Sequence, residues 1–297
     1  MAVGIDIGTY SIKLIELQEK KGKLELLKCA ANLVSGDDIK TSLKDILSLS
    51  KLSSKRVNVS LSGPSVIVRY IEMPPMKREE LRSAIKFEAE KYIPFDIKEA
   101  IVDCAVLDKG PSGSTNRILL VAAKKEKVNS YMEMFKELGI DIFSIDVDTT
   151  AIFNAFQRTG LEAKQESVYA MVDIGAKFSN MNIVAKGQPY FTRDILWGGM
   201  DAGNAEKPVF EKFVSEARMS FDYFETQFGK NVERLYISGG GSCLLNIRDF
   251  LKENLGIEVI LWNPFDGIKI PDDASGNKEI RDFPAQFAVA VGLALRK

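Results

Sequence analysis

Twice the sequence carries an apolar run into an Asp-Ile-Gly triplet. Gly4-Ile5-Asp6-Ile7-Gly8-Thr9 does so near the N-terminus, and Met171-Val172-Asp173-Ile174-Gly175-Ala176 does so past the middle. Each triplet closes a strand-like run and a second alternating run follows, so each reads as a hairpin turning at its glycine. Such turns suit phosphate and magnesium. Glycine lets the main chain approach an anion, and successive turn N–H groups form a nest for its oxygens. An aspartate at a strand end is a hard oxygen ligand of the kind that holds Mg2+, usually through water. The candidate magnesium ligands are therefore Asp6 and Asp173. The candidate phosphate contacts are Gly8, Thr9, Tyr10 and Ser11 in the first hairpin, with Gly175, Ala176, Lys177 and Ser179 in the second. A lone Asp-x-Gly is a weak signal. Two copies, one opening each half, point to a duplicated α/β domain with a cleft between the halves. Later, Ile237-Ser238-Gly239-Gly240-Gly241-Ser242 follows a strand and precedes a helix. A glycine triplet there permits main-chain contact with a flat ring or ribose, so Gly239, Gly240, Gly241 and Ser242 are candidate adenosine contacts.

Composition narrows the chemistry. At 297 residues and 33.0 kDa the chain has room for two ordinary domains. With 40 Lys+Arg against 41 Asp+Glu, the net charge of -1 offers no global attraction for nucleic acid or anionic lipid. Lys124-Lys125-Glu126-Lys127 reads as a solvated helix start. The absence of histidine removes imidazole acid–base catalysis, Ser-His-Asp and Cys-His nucleophiles, and histidine metal ligation. Cys29, Cys104 and Cys243 lie far apart, which suits a reducing compartment and suggests no zinc or redox pair. Any hydrolytic step would fall to a carboxylate or amide, with Asp146, Asp148 and Gln157 as candidates. The N-terminus is acidic at Asp6, where a signal peptide needs a basic region and then a long apolar run. The chain reads as cytosolic, with any membrane contact made through a partner.

The elements that position these residues alternate between strand and helix. Runs at 57–61 and 66–73 read as strands, and residues 39–49, 149–159, 208–228, 244–255 and 286–295 have helical spacing. Residues 77–139 read as a small unit in the order helix, strand, strand, helix, and residues 263–283 as loop.

The two hairpins with the late Gly-Gly-Gly resemble the nucleotide site of the actin, sugar-kinase and heat-shock-chaperone ATPases. In actin a phosphate-binding lysine follows the first such aspartate at a spacing of seven, and Asp6 and Lys13 have that spacing. More narrowly, several stretches resemble the PilM family of type IV pilus assembly, an FtsA-like branch of it. They are Gly4 to Lys13, Ser62-Gly63-Pro64-Ser65-Val66-Ile67-Val68-Arg69-Tyr70-Ile71-Glu72-Met73-Pro74, Glu88-Ala89-Glu90-Lys91-Tyr92-Ile93-Pro94-Phe95, and Ser215 to Phe224. The resemblance covers nearly the whole chain. It implies an actin-like (ribonuclease H-like) duplicated fold. The first core domain would comprise residues 1–73 and 141–160, with the closing helix 284–297 packing back on it. An FtsA-type α+β insert would fill 74–140. The second core would span 161–283, with a shortened fourth subdomain around 200–230.

The resemblance further implies ATP and Mg2+ in the cleft with little or no hydrolysis, and docking of the cytoplasmic N-terminal peptide of the inner-membrane protein PilN. Other pilus inner-membrane platform proteins and self-association are further expected partners; nucleic acid is not. The chain would be cytoplasmic, peripheral at the inner membrane through its partners. The peptide is expected between the first core and the insert, along the helix Glu79–Ile93 and the strand Val66–Met73. One departure bears on the nucleotide. After Gly198-Gly199 the family has a longer helix-rich stretch beside the adenosine, whereas here Met200 to Lys207 runs almost directly into the long helix. One wall of the base site is lost.

Overall fold

The computed structural model describes residues 1–34, 38–110, 113–162, 167–203, 209–271 and 277–296. Three consecutive strands open the chain: β1 (Ala2–Ile7), β2 (Ser11–Lys20) and β3 (Lys23–Leu33). Helix α1 (Ile39–Ser50) follows; the Asp38 carboxylate caps it by accepting from the Thr41 N–H at 2.9 Å. Its Leu43 and Ile46 are buried in the core of the first half. Strand β4 (Arg56–Leu61) then runs parallel to β1.

The chain now leaves this sheet for β5 (Val66–Met73), α2 (Arg78–Ala89), β6 (Ala100–Lys109) and β7 (Asn116–Lys124). It returns through α3 (Lys125–Glu137), β8 (Asp141–Val147) and α4 (Asp148–Thr159). The second half repeats the plan with β9 (Val168–Ile174), β10 (Ser179–Ala185), β11 (Gln188–Ile195), α5 (Glu211–Phe228), β12 (Arg234–Ser238), α6 (Ile247–Leu255) and β13 (Glu258–Leu261). Helices α7 (Asn277–Asp282) and α8 (Ala288–Ala294) end the chain.

The duplication is visible in strand order. The first sheet runs β3-β2-β1-β4-β8 and the second β11-β10-β9-β12-β13. In each, an antiparallel meander is extended by two parallel strands. Central strands of this kind are covered on both faces, which is why β1 and β9 read as nearly continuous apolar runs. The halves share a core behind the cleft, where Ile15 and Leu17 meet Phe156, Tyr169, Tyr236 and Trp262. All of α8 is buried. It lies close to β1 and α4 because glycine stands at each contact: a Cβ on Gly4 of β1 would overlap the Ala290 carbonyl, and one on its own Gly292 the Ala151 carbonyl of α4.

Three details differ from the sequence reading. Strand β5, assigned there to the first core, pairs along its length with β7, from Val66↔Ala123 to Met73↔Asn116. It is an edge of the three-stranded sheet β5-β7-β6 in the insert. Helix α3, assigned to the insert, turns Tyr131 and Phe135 into the core of the first half. Pairing and helix facing are settled by distant partners that local periodicity does not name. Residues 277–282, read as loop, form α7, whose Ile280 is buried in the shared core. Residues 204–208, in the stretch read as running almost directly into the long helix, lie outside the described residues.

Candidate functional site

The two hairpins face one cleft of about 530 Å³. Their turns close in the same way. The Gly8 N–H donates to the Ser11 carbonyl at 3.1 Å, and the Gly175 N–H donates to the Phe178 carbonyl at 3.1 Å. Cross-strand register then sets a polar pair at the base of each. Asp6 lies opposite Lys13 across β1 and β2, and Asp173 lies opposite Asn180 across β9 and β10. Lys13 donates to Asp6 at 3.1 Å, and the Ser238 hydroxyl donates to Asp173 at 2.9 Å. Asp6, Lys13, Asp173, Asn180 and Asp148 all line the cleft.

Of the later glycines, Gly240 and Gly241 line the cleft next to the second hairpin. A Cβ on Gly239 would clash with the backbone of Ile174, and one on Gly241 with its side chain. Only glycine lets this turn pack on the end of β9, and Gly239 also has φ +84°. Gly240 has open space in front of it. The turn at Gly198 and Gly199 closes on the second hairpin, with the Gly199 N–H donating to the Gly175 carbonyl at 2.8 Å and Met200 N–H to Ala176 at 2.9 Å.

Of the residues singled out by sequence, Asp6, Gly8, Thr9, Tyr10, Ser11, Lys13, Asp173, Gly175, Ala176, Gly240 and Gly241 line the cleft. Four do not. Lys177 is exposed, and Phe178 lines the cleft beside it. Ser179 is buried and spends its hydroxyl on the Trp197 carbonyl. Gly239 packs against β9, and the Ser242 hydroxyl donates back to the Gly239 carbonyl at 2.6 Å. Among the hydrolytic candidates, Asp148 alone lines the cleft. Asp146 is held by Arg296 at 2.6 Å, and Gln157 donates to the Gly187 carbonyl. Asn180 was readable by repeating the Asp6-to-Lys13 step from Asp173. Ala31, Asn32, Leu33, Leu244, Gln286 and Val289 also line the cleft, and they carry no local motif.

The acidic groups are strained electrostatically. Removal from water raises Asp148 to about 8, the Asp6 charge adds to this, and the Ser60 and Ser62 hydroxyls oppose it. Desolvation, then Asp6, raises Asp173 to about 6, with Ser238 and Lys13 opposing. For Lys13, burial works downward, and the charges of Asp6, Asp173 and Asp148 outweigh it, so its pKa is raised. A surplus of carboxylates around one ammonium is a donor set that a bound cation would relieve. Among the described residues no three acidic, histidine or cysteine side chains converge closely enough to hold a metal alone. That fits Mg2+, which keeps several waters and takes one or two carboxylates plus phosphate oxygens. The open Gly8 and Gly175 turns fit the phosphates.

These shifts fix a pH dependence for the metal-free protein. From the ordinary carboxylate value of 3.8 to about 8 the folded state holds more protons than the unfolded one. Stability therefore falls as pH rises through that window. Asp148→Asn is expected to flatten the slope and to be the more stable protein at pH 8. Urea unfolding in chelator at pH 6 and pH 8 measures this; equal slopes in wild type and variant would count against it.

A family model described as type IV pilus assembly protein PilM matches residues 4–206 and 203–297. Among solved structures, the PilM-PilN type IV pilus biogenesis complex is similar with a TM-score of 0.88 and 24% identity, over 99% of this chain and 98% of that one. A Bacteroides thetaiotaomicron protein with an actin-like ATPase fold gives a TM-score of 0.56 at 14% identity, over 88% and 90% of the two chains. The cytoplasmic domain of EpsL, an inner-membrane component of the type II secretion system of Vibrio cholerae, gives 0.51 at 14% identity, over 93% and 87%. The duplicated α/β architecture is thus actin-like.

Proposed function

The chain belongs to the type IV pilus assembly protein PilM family, and from that membership we propose that it is a nucleotide-binding scaffold of pilus assembly. It holds Mg-ATP between its hairpins and docks the cytoplasmic N-terminal peptide of a PilN-type inner-membrane protein. The observation that carries the nucleotide half is the pair of like turns across one cleft, with Lys13 bonded to Asp6 at its base. The docking half is supported by the similar solved structure, which is a complex of PilM with PilN. No helix among the described residues is long and apolar enough to cross a membrane, so in this reading the partner supplies the attachment to the inner membrane. Other platform proteins and further copies of the chain would assemble around that pair.

The residues divide the work. The N–H groups of the Gly8 and Gly175 turns orient the phosphates. Asp6 and Asp173 would hold magnesium, which when bound would supply charge neutralisation to the phosphates. Lys13 exchanges its bond to Asp6 for a phosphate oxygen. Burial and the Asp6 charge raise the pKa of Asp148, the candidate base in the cleft, in the ligand-free protein. Mg-ATP should raise the melting temperature with no release of inorganic phosphate; steady release would make the chain an ATPase instead.

The base end is less discriminating. Beside the candidate adenosine contacts Gly240 and Gly241, the cleft is lined by Met200 and Leu244, which carry no hydrogen-bonding side-chain group. Discrimination between bases needs polar groups held at the base edge. ATP and GTP should therefore bind within about tenfold of each other, a difference of about 1.4 kcal/mol. Competition between the two nucleotides measures this, and a stronger ATP preference would mean that another wall reads the base.

A further inference from the structure

The second core sheet carries a polar row across four strands. Ser238 of β12 lies beside Asp173 of β9, Asp173 lies opposite Asn180 of β10, and Asn180 lies opposite Asp194 of β11. Side chains at register partners stand on one face of a sheet and interact. The Ser238 hydroxyl donates to Asp173 at 2.9 Å, and the Asn180 Nδ2 donates to Asp194 at 3.0 Å. Asp173 and Asn180 line the cleft, whereas Asp194, one strand further out, does not.

The first core sheet repeats this row with different residues. Register sets Lys13 opposite Asp6 and Ala31 opposite Lys13. Lys13 therefore takes the place of Asn180, and Ala31 that of Asp194. Ala31 offers no side-chain acceptor, and the Lys13 ammonium donates to Asp6 at 3.1 Å. The two hairpins thus present unlike chemistry to one cleft, a cation on the first and a carboxamide on the second.

Asp194 decides which end of that carboxamide serves the cleft. An ionised carboxylate only accepts, so Asn180 turns its NH2 toward β11. Nitrogen and oxygen diverge from a planar amide carbon, which leaves the Asn180 oxygen on the side away from Asp194, toward β9 and Asp173. The Asp173 carboxylate has its own donor in Ser238 and its countercharge in Lys13. Asp173 and the Asn180 oxygen are both acceptors. Directly opposite residues of an antiparallel pair have Cβ atoms about 4.5–5.5 Å apart, a spacing that suits one donor shared between them. Phosphate oxygens are themselves acceptors and cannot be that donor. A water on magnesium can, because Mg2+ dehydrates reluctantly and keeps several waters.

We propose that Asp194 is a positioning residue for magnesium: by holding the Asn180 NH2 it turns the Asn180 oxygen to accept, alongside Asp173, from the water shell of the metal. The proposal rests on the reading that the cleft holds Mg-ATP, and it divides the hairpins. The first meets phosphate through Lys13, and the second adds a contact to the hydrated metal that the first lacks. Residues that orient the groups around a metal ordinarily cost roughly 10–100-fold in metal affinity when removed.

The test is calorimetric titration of the full chain with ATP, once in Mg2+ and once in chelator, the ratio of the two dissociation constants being the magnesium enhancement. Asn180→Ala should cut the enhancement about tenfold, within the range for groups that orient a metal's surroundings, with the loss falling on the Mg2+ arm. Asp194→Ala should cut it as well. Asp194→Asn, which keeps a carbonyl acceptor for the Asn180 NH2, should restore it. The Asn180→Ala, Asp194→Ala double variant should be no worse than Asn180→Ala alone, as expected where one residue acts through the other. A merely structural loss would move both dissociation constants and would add in the double variant. Full enhancement in Asn180→Ala, or an equal loss in both arms, would overturn the metal contact while leaving Mg-ATP binding standing. Full enhancement in Asp194→Ala would overturn the positioning role. A wild-type chain that does not bind Mg-ATP would remove that reading and the proposal with it.

Discussion

Gly292→Ala is expected to destabilise the protein by about 2–4 kcal/mol, against the sign of the same change in an exposed helix. Helix interiors ordinarily prefer alanine to glycine by roughly 0.5–1 kcal/mol. Here the added methyl would overlap the Ala151 carbonyl of α4. Neither backbone has room to retreat. Every residue of α8 from Ala288 to Ala294 is buried, and its far side lies against β1, where Gly4 admits the Ala290 carbonyl. Close-packed interiors resist even one extra methylene. Urea unfolding of wild type and variant at one pH decides this. An unchanged or raised midpoint would mean that α8 is not wedged between α4 and β1.

Lys13→Ala is expected to weaken Mg-ATP binding by about 1–3 kcal/mol, the range of a hydrogen bond to a charged group. Two effects act in the same direction. The ammonium no longer meets the phosphates, and Asp6, Asp173 and Asp148 are left in the cleft with less countercharge. Asp6→Ala should cost magnesium-dependent affinity, yet less in total, because it also relieves repulsion on Asp148 and Asp173, where Asp6 is the leading charge. Titrating each variant with and without Mg2+ separates the two roles. Unchanged affinity in both variants would remove the phosphate site from this cleft.

Much of the site was readable because it is local. A hairpin needs its apolar strand, its glycine turn and its cross-strand pair within about ten residues of sequence, and both hairpins have them. The repeat implied two equivalent halves, and the strand orders match. What local pattern did not reveal was partnership at a distance. An alternating run such as Val66–Met73 is a strand wherever it lies. That it joins β7 depends on a partner some fifty residues later in the chain. Helix α3 is amphipathic by pattern, but only packing decides that Tyr131 and Phe135 face the first core. Ser179 and Ser242 illustrate the converse. Their types suit phosphate or ribose, and the fold spends both hydroxyls on buried carbonyls. Asp148 was weighed only as a possible base, and its burial beside two other aspartates emerges once α4 is placed at the cleft.

The most direct test of the account is calorimetric titration of the full chain with ATP in the presence of Mg2+, repeated with chelator and repeated on the Asp6→Ala, Asp173→Ala double variant. The account predicts saturable binding at one site per chain, sharply weaker in chelator and in the double variant, with no phosphate released during the experiment. Binding that is equally tight with chelator and in the double variant, or no binding by the wild-type chain, would contradict it.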